Sequence, residues 1–261
     1  MPKLSIITPA FIDSQDRLNW FGETLDSVLT QGFTDWESII IDDCSPTDLA
    51  GLKREFSDPR FRWFRTSQNS GPALCRNTAA ALAESGALLP IDADDILADE
   101  NALAVLYDAW QSDKFRIVYG DLQRLENGER GKIYNLPEYT FNKALDTNGI
   151  MPVTALHSVE CHVKAGGWKP ELNYGLEDVE YWIAAGKAGF CGQKTHGVVL
   201  LYRRHETSRH ARLKTERHET EMRNKIVDMH RDVYEGRFPM GCCGGGGSSY
   251  VPPSNQSQQM S

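Results

Sequence analysis

Three carboxylates fall within four positions at Asp92, Asp94 and Asp95, directly after the apolar run Ala87-Leu88-Leu89-Pro90-Ile91. Acids this close repel one another unless a cation or strong donors sit among them. Oxygen-only ligands suit Mg²⁺ or Mn²⁺, and Mg²⁺ sites typically join one or two carboxylates to substrate phosphates. The chemistry on offer is therefore a metal site that holds a phosphorylated substrate. The plainer alternative is an acidic turn opening a helix, where Asp is favoured in any case. A second acid pair, Asp42-Asp43, closes another apolar run, Ile39-Ile40-Ile41.

Those runs have the length of buried strands. Strands are expected over 4–8, 36–41, 61–65 and 87–91. Helices are expected between them: 17–31, with Leu18, Phe21, Leu25, Val28 and Leu29 at helical spacing and Gly32 ending it; a short one capped by Asp48; and one from Pro72 to about 85. A further helix is expected over 99–113. Repeated strand–helix alternation predicts an α/β fold with a mostly parallel sheet covered by helices. In such sheets ligands bind beyond the carboxyl ends of the strands. Both acid groups fall there, which favours a site over a cap.

The second half is less regular. A hairpin is expected around Asn127-Gly128, between strands at 117–122 and 132–134. Residues 137–151 read as a short helix and a loop, 155–159 as an edge strand, and Gly166-Gly167-Trp168 as a tight turn. A helix starts in the 175–182 stretch and stops near Gly189. A last strand, 198–202, leads into Arg203-Arg204-His205. A charged helix follows over 207–234, with Met222, Ile226, Met229 and Val233 as its apolar seam. From Gly241 onward Gly, Ser, Pro and Gln predict a disordered tail.

At 261 residues the chain suits one large domain or two small ones, and its net charge of −8 gives no basic field for nucleic acid. No apolar run approaches the roughly 20 residues that span a bilayer. Met1-Pro2-Lys3 passes straight into a strand-like run, so no leader is expected. The cysteines show neither metal-ligand spacing nor a disulfide framework, which points to a reducing cytoplasm.

Several motifs together resemble glycosyltransferase family 2, the inverting nucleotide-sugar transferases of the GT-A fold. The resemblance rests on Leu4-Ser5-Ile6-Ile7-Thr8-Pro9-Ala10-Phe11, Ser27-Val28-Leu29-Thr30-Gln31, Ile41-Asp42-Asp43-Cys44-Ser45 and Gly71-Pro72-Ala73-Leu74-Cys75-Arg76-Asn77. It continues through Asp92-Ala93-Asp94-Asp95, Gly166-Gly167-Trp168, Glu177-Asp178 and Tyr202-Arg203-Arg204-His205 with Ser208. These pieces stand in the family's order and spacing from residue 3 to about 208. One departure is visible: the family's usual first-loop pair is Tyr-Asn, and here it is Phe11-Ile12. An aromatic remains for stacking, but a hydroxyl and an amide are gone.

The resemblance implies roles. A nucleoside-diphosphate sugar, with a UDP-sugar as first guess, would lie against Pro9, Phe11, Asp42, Asp43, Arg76, Asn77, Asp92, Ala93 and His205. Phe11 would stack near the base and Asp43 would bind its imide, with Asp42 as either that acid or a loop cap. Arg76 and Asn77 sit one turn into a helix, where donors suit a diphosphate or sugar hydroxyls; a salt bridge from Arg76 to an acid such as Asp92 is the alternative. Mn²⁺ or Mg²⁺ would be held by Asp94, with Asp92 and His205 as further candidates, while Asp95 caps the next helix. Arg203 and Arg204 would assist or lie on the surface. Asp178 resembles the catalytic base, with Glu177 as its rival. Trp182 would be an acceptor platform or core.

The combined expectation is a metal-dependent inverting glycosyltransferase acting on a hydroxyl of a glycan or glycoconjugate. It would comprise a GT-A domain over 1–206, a C-terminal helical extension over 207–237 and a disordered tail over 238–261. A cytoplasmic location is expected, with peripheral membrane attachment through Cys242-Cys243 as the lesser alternative. Two other readings stay open: a nucleotidyltransferase making a nucleotide sugar, and a non-catalytic nucleotide-sugar or glycan-binding protein. No Gly-rich triphosphate loop follows the first strand, which weighs against the nucleotidyltransferase.

Overall fold

The computed structural model describes residues 1–113, 115–145, 151–206, 208, 213 and 218–236. The expected tail over 238–261, Cys242-Cys243 included, and parts of the loop before Met151 and of the C-terminal helix lie outside the described residues.

The first half alternates as its apolar periodicity predicts. It runs β1 (Leu4–Ala10), α1 (Gln15–Leu29), β2 (Trp36–Asp42), α2 (Ala50–Glu55), β3 (Phe61–Arg65), α3 (Pro72–Leu82) and β4 (Ala87–Pro90). These four strands pair in parallel in the order β3-β2-β1-β4, and β8 (His157–Ser158) closes the sheet antiparallel to β4. Side chains alternate between the faces of a strand. Ile6, Ile40 and Leu89 therefore pack on one side, with Phe21, Leu25 and Val28 of α1. Ile7, Ile39 and Leu88 pack on the other, with Cys75 and Ala79 of α3. Hence the strands are apolar on both faces, and the sheet is the middle layer of three.

A second sheet has the order β5-β9-β6-β7, from β5 (Ile96–Leu97), β6 (Arg116–Glu126), β7 (Glu129–Tyr134) and β9 (Cys191–Arg203). A bridge between Val118 and Leu156 ties it to the first sheet. The hairpin β6–β7 turns at Asn127 (φ 52°) and Gly128 (φ 81°). Two positive φ values make the turn that suits the strands' twist, and Asn-Gly tolerates both. Helices α4 (Ala102–Gln111), α5 (Phe141–Leu145), α6 (Val159–Ala165), α7 (Glu177–Lys187), α8 (Glu219–Met229) and α9 (Arg231–Tyr234) complete the described elements.

Several boundaries differ from expectation. Helix α1 stops at Leu29, where the Thr30 hydroxyl donates to the Asp26 carbonyl, before Gly32 is reached. Helix α4 starts at Ala102, because Asp95 runs instead into the short strand β5. The strand expected over 155–159 has only two residues, and Val159 opens α6 with Ser158 accepting from the Cys161 amide. The last strand begins at Cys191, seven residues earlier than the apolar run suggested, because its first half pairs with β6. In the C-terminal seam Met222, Ile226 and Val233 are buried, but Met229 is 37% exposed. The chain turns at His230 between α8 and α9, so the helical period does not carry through. Among the described residues no helix is long and apolar enough to cross a membrane.

Candidate active site

The carboxyl ends of β1, β2 and β4 share one edge, set by the register Ala10↔Asp42 and Ile7↔Pro90. A cavity of about 590 Å³ opens there. Pro9, Phe11, Asp43, Arg76, Asp92, Ala93, Asp94, Glu177 and Asp178 all line it, although they come from segments up to 169 residues apart (Pro9 to Asp178). Asp42, Asn77 and His205 do not form its lining.

The loops at this edge are held by side chains buried beneath them. Asp42 accepts from the Ser45 amide and pairs with Arg65, which makes it the loop cap. Asp43 accepts from the amides of Ser70 and Gly71, each at 2.8 Å, and so anchors the turn into α3. Gly71 holds φ 82° there, and Pro72 takes the first helical position. Asn77 brackets Trp168: its Nδ2 donates to the Trp168 carbonyl at 2.8 Å, and its Oδ1 accepts from the Trp168 amide at 2.9 Å. Gly167 must be glycine for this approach, with φ +69° and a would-be Cβ only 2.8 Å from Asn77 Oδ1.

The three acids lie close together, and one oxygen of each is within 4.8 Å of the others. Protein donors partly offset their repulsion. Arg76 donates to Asp92 at 2.6 Å, and His205 Nε2 lies 2.9 Å from Asp94 Oδ2. The Arg203 amide donates to Asp95 Oδ1 at 2.9 Å, and Arg203 Nε donates to the Asp94 carbonyl at 2.8 Å. Asp95 is thus tied to β9 and does not cap α4. Burial, then the charges of Asp94 and Asp92, push its carboxyl well above the usual carboxylate range. Arg203 is itself buried, between Glu23 and the Trp20 ring, which corrects the surface reading for this residue. A divalent cation fits this cluster: the donor set is three hard-oxygen carboxylates, with the His205 imidazole beside Asp94, and their mutual repulsion is only partly offset by the protein's own donors.

Across the cavity, α7 begins with Glu177 and Asp178 after Leu176 in the left-handed conformation (φ 66°). Glu177 is buried and accepts from Arg76 at 2.9 Å. Arg76 is therefore a buried guanidinium joining Asp92 to Glu177, and its Nε has no hydrogen-bond partner among the described residues. Asp178 keeps part of its surface at the cavity. Burial, and then the neighbouring Glu177 carboxylate, raise its carboxyl to about 6. Two adjacent acids thus have different environments: Glu177 is paired with a guanidinium, and Asp178 reaches the cavity with its carboxyl raised. Trp182 belongs to the core, where its Nε1 donates to the Pro152 carbonyl and holds the 151–153 wall of the cavity.

The sequence reading gave no site role to the part of the lining that comes from 151–153, Arg17, Glu219 and Arg223, and it left Arg203 between assisting and the surface. Arg203 carried a signal, as a charged residue closing an apolar strand.

Comparison with known proteins places the chain in a family. The profile of glycosyl transferase family 2 matches residues 5–161. TuaG of Bacillus subtilis, whose name provisionally assigns it to teichuronic acid biosynthesis as a glycosyltransferase, is 32% identical over 206 residues, 77% of this chain and 79% of TuaG. WfgD of Escherichia coli, a UDP-Glc:alpha-D-GlcNAc-diphosphoundecaprenol beta-1,3-glucosyltransferase, is 28% identical over 154 residues, which is 59% of each chain. The S. aureus TarS 1-349 crystal structure in complex with UDP-GlcNAc superposes with a TM-score of 0.67 at 18% identity, covering 90% of this chain and 71% of TarS 1-349. That likeness is one of fold, the GT-A architecture.

Proposed function

The chain belongs to glycosyl transferase family 2, and from that premise we propose that it is a metal-dependent inverting glycosyltransferase. It moves a sugar from a nucleoside-diphosphate donor to a hydroxyl of a glycan or glycoconjugate. A UDP-sugar is the donor of choice, since a solved neighbour carries UDP-GlcNAc and a relative is named for UDP-Glc. The observation that carries the reading is the pairing of Asp178 with the Asp92–Asp94–Asp95 cluster in one cavity.

Asp94, Asp92 and His205 would hold Mn²⁺ or Mg²⁺, which would offset the charge growing on the departing nucleoside diphosphate. The protein's own groups do the rest. Phe11 and Asp43 line the cavity, where Phe11 would stack near the base and Asp43 would bind its imide. Arg76 keeps Asp92 and Glu177 in place. The Asp178 carboxylate accepts the acceptor hydroxyl's proton as that oxygen bonds to the anomeric carbon. The bond from that carbon to the diphosphate oxygen breaks, its electron pair leaves with the diphosphate, and the anomeric centre inverts.

The test is incubation with a panel of nucleotide sugars and candidate acceptors, with Mn²⁺, Mg²⁺ or chelator. Free nucleoside diphosphate should appear only with cation, and NMR should show the product's anomeric configuration opposite to the donor's. Pyrophosphate released from a nucleoside triphosphate would instead indicate a nucleotidyltransferase. Binding with no turnover across the panel would indicate a carbohydrate-binding role.

A further inference from the structure

Glu180 Oε1 and His230 Nε2 lie 3.0 Å apart, and their side chains are only 1% and 7% exposed. Glu180 lies in α7, two residues after Asp178, and His230 forms the turn between α8 and α9. Neither lines the cavity. Glu180 Oε2 and His230 Nδ1 have no hydrogen-bond partner among the described residues. On the same helices Val179, Ile183, Met222, Ile226 and Val233 belong to one buried apolar core. A buried ionisable pair with half its polar atoms unmatched is a poor source of stability; apolar side chains of similar volume usually do as well or better.

What the pair supplies is geometry. Helix α7 makes polar side-chain contacts from Glu177 to Arg76, Glu180 to His230, Tyr181 to His157 and His162, Trp182 to the Pro152 carbonyl, and Lys187 to Asp232 at 2.9 Å. Those of Glu180 and Lys187 both reach the C-terminal segment, at His230 and Asp232. Side-chain atoms of a helix lie about 5 Å from its axis, so a rotation of roughly 10° moves them by about 1 Å. A misplacement of that size can cost on the order of 10²-fold in rate.

We propose that Glu180 and His230 are positioning residues that set the rotation of α7 and thereby the aim of Asp178. The C-terminal segment 218–236 then belongs to the working site and is more than an appendage. This rests on the reading of Asp178 as the base.

The test compares His230→Leu, the double variant Glu180→Leu/His230→Leu, Glu180→Gln and Asp178→Asn, by melting temperature, kcat, donor KM and calorimetric binding of the nucleoside diphosphate. Glu180→Gln keeps an acceptor for His230 and should hold kcat within about twofold. His230→Leu and the double variant should lose about tenfold in kcat, with donor KM and diphosphate binding unchanged. The double variant should also recover the parent melting temperature without recovering kcat. If neither leucine variant folds, His230→Ala carries the same expectation. Parental kcat in the double variant, or in His230→Ala as the substitute, overturns the proposal. So does a kcat loss that tracks melting temperature or diphosphate binding. Asp178→Asn separates the two readings: loss of transfer there beside intact pair variants removes only the positioning role, while retained transfer removes the base itself.

Discussion

His205 Nε2 lies 2.9 Å from Asp94 Oδ2 and so joins the end of β9 to the turn after β4. The same imidazole packs on Trp20 of α1, with ring centroids 4.7 Å apart. Asp94 is thereby oriented by a neighbour that follows a strand of the second sheet.

Asp94→Ala should abolish the gain in nucleoside-diphosphate affinity that Mn²⁺ or Mg²⁺ brings, as read by calorimetry, while the far-ultraviolet circular dichroism stays that of the parent. His205→Ala should cost about 10–100-fold in the same cation-dependent affinity. Parental turnover by Asp94→Ala in excess chelator would end the metal assignment.

Asp178→Asn preserves size but cannot take a proton at neutral pH. Transfer should fall by roughly 10²–10⁴ with diphosphate binding unchanged. Glu177→Ala should act differently, because it leaves the buried Arg76 with Asp92 alone. It should cost about 3 kcal/mol of stability, seen as a lower urea midpoint. Should Glu177→Gln lose more transfer than Asp178→Asn, the roles are reversed.

The Asp178 carboxyl, raised to about 6 by burial and by Glu177, predicts an acid limb in kcat/KM for the acceptor. The rate should fall tenfold per pH unit below about 6, since the protonated carboxyl cannot act as base. Being raised on folding, this group favours the fold below its unfolded value near 3.8, and that contribution is lost as pH climbs through about 6. Asp178→Asn should therefore melt higher than the parent at pH 8 and match it near pH 4.

His157 and His162 make the opposite contribution. Burial lowers them to about 3 and about 4, and Tyr181 Oη lies 2.9 Å from His157 Nε2 and 3.2 Å from His162 Nδ1. In the unfolded chain both take protons near pH 6.5, whereas in the folded chain they stay neutral. Stability should be unaffected by them above pH 6.5 and should drop steadily from there toward pH 4. Replacing His157 by Gln should flatten that fall in a urea titration across pH, even if it lowers stability at pH 7.

Much of this was legible in the chain itself. Strand and helix order in the first half follows from apolar period, since a strand buried on both faces must be a continuous apolar run, as in Ile39-Ile40-Ile41. The placing of Asp43 and Asp92 at one sheet edge follows from parallel alternation. Asn127-Gly128 specified its own turn through φ alone. The family was readable as well, because its motifs are short, local and ordered.

Tertiary structure decided what each acid meets. Nothing local distinguishes Asp95 from a helix cap; its contact is the Arg203 amide, 108 residues away. Glu177 and Asp178 are neighbours of like charge, yet Glu177 pairs with Arg76, 101 residues distant, while Asp178 has part of its surface at the cavity. Asn77 looks like a site residue in its motif, yet both ends of its amide serve the backbone of Trp168, 91 residues on. Periodicity reports how a residue faces its own element. Which charge meets which across the molecule depends on how the packed elements dock, and a carboxylate's role follows from the charges and burial it finds there.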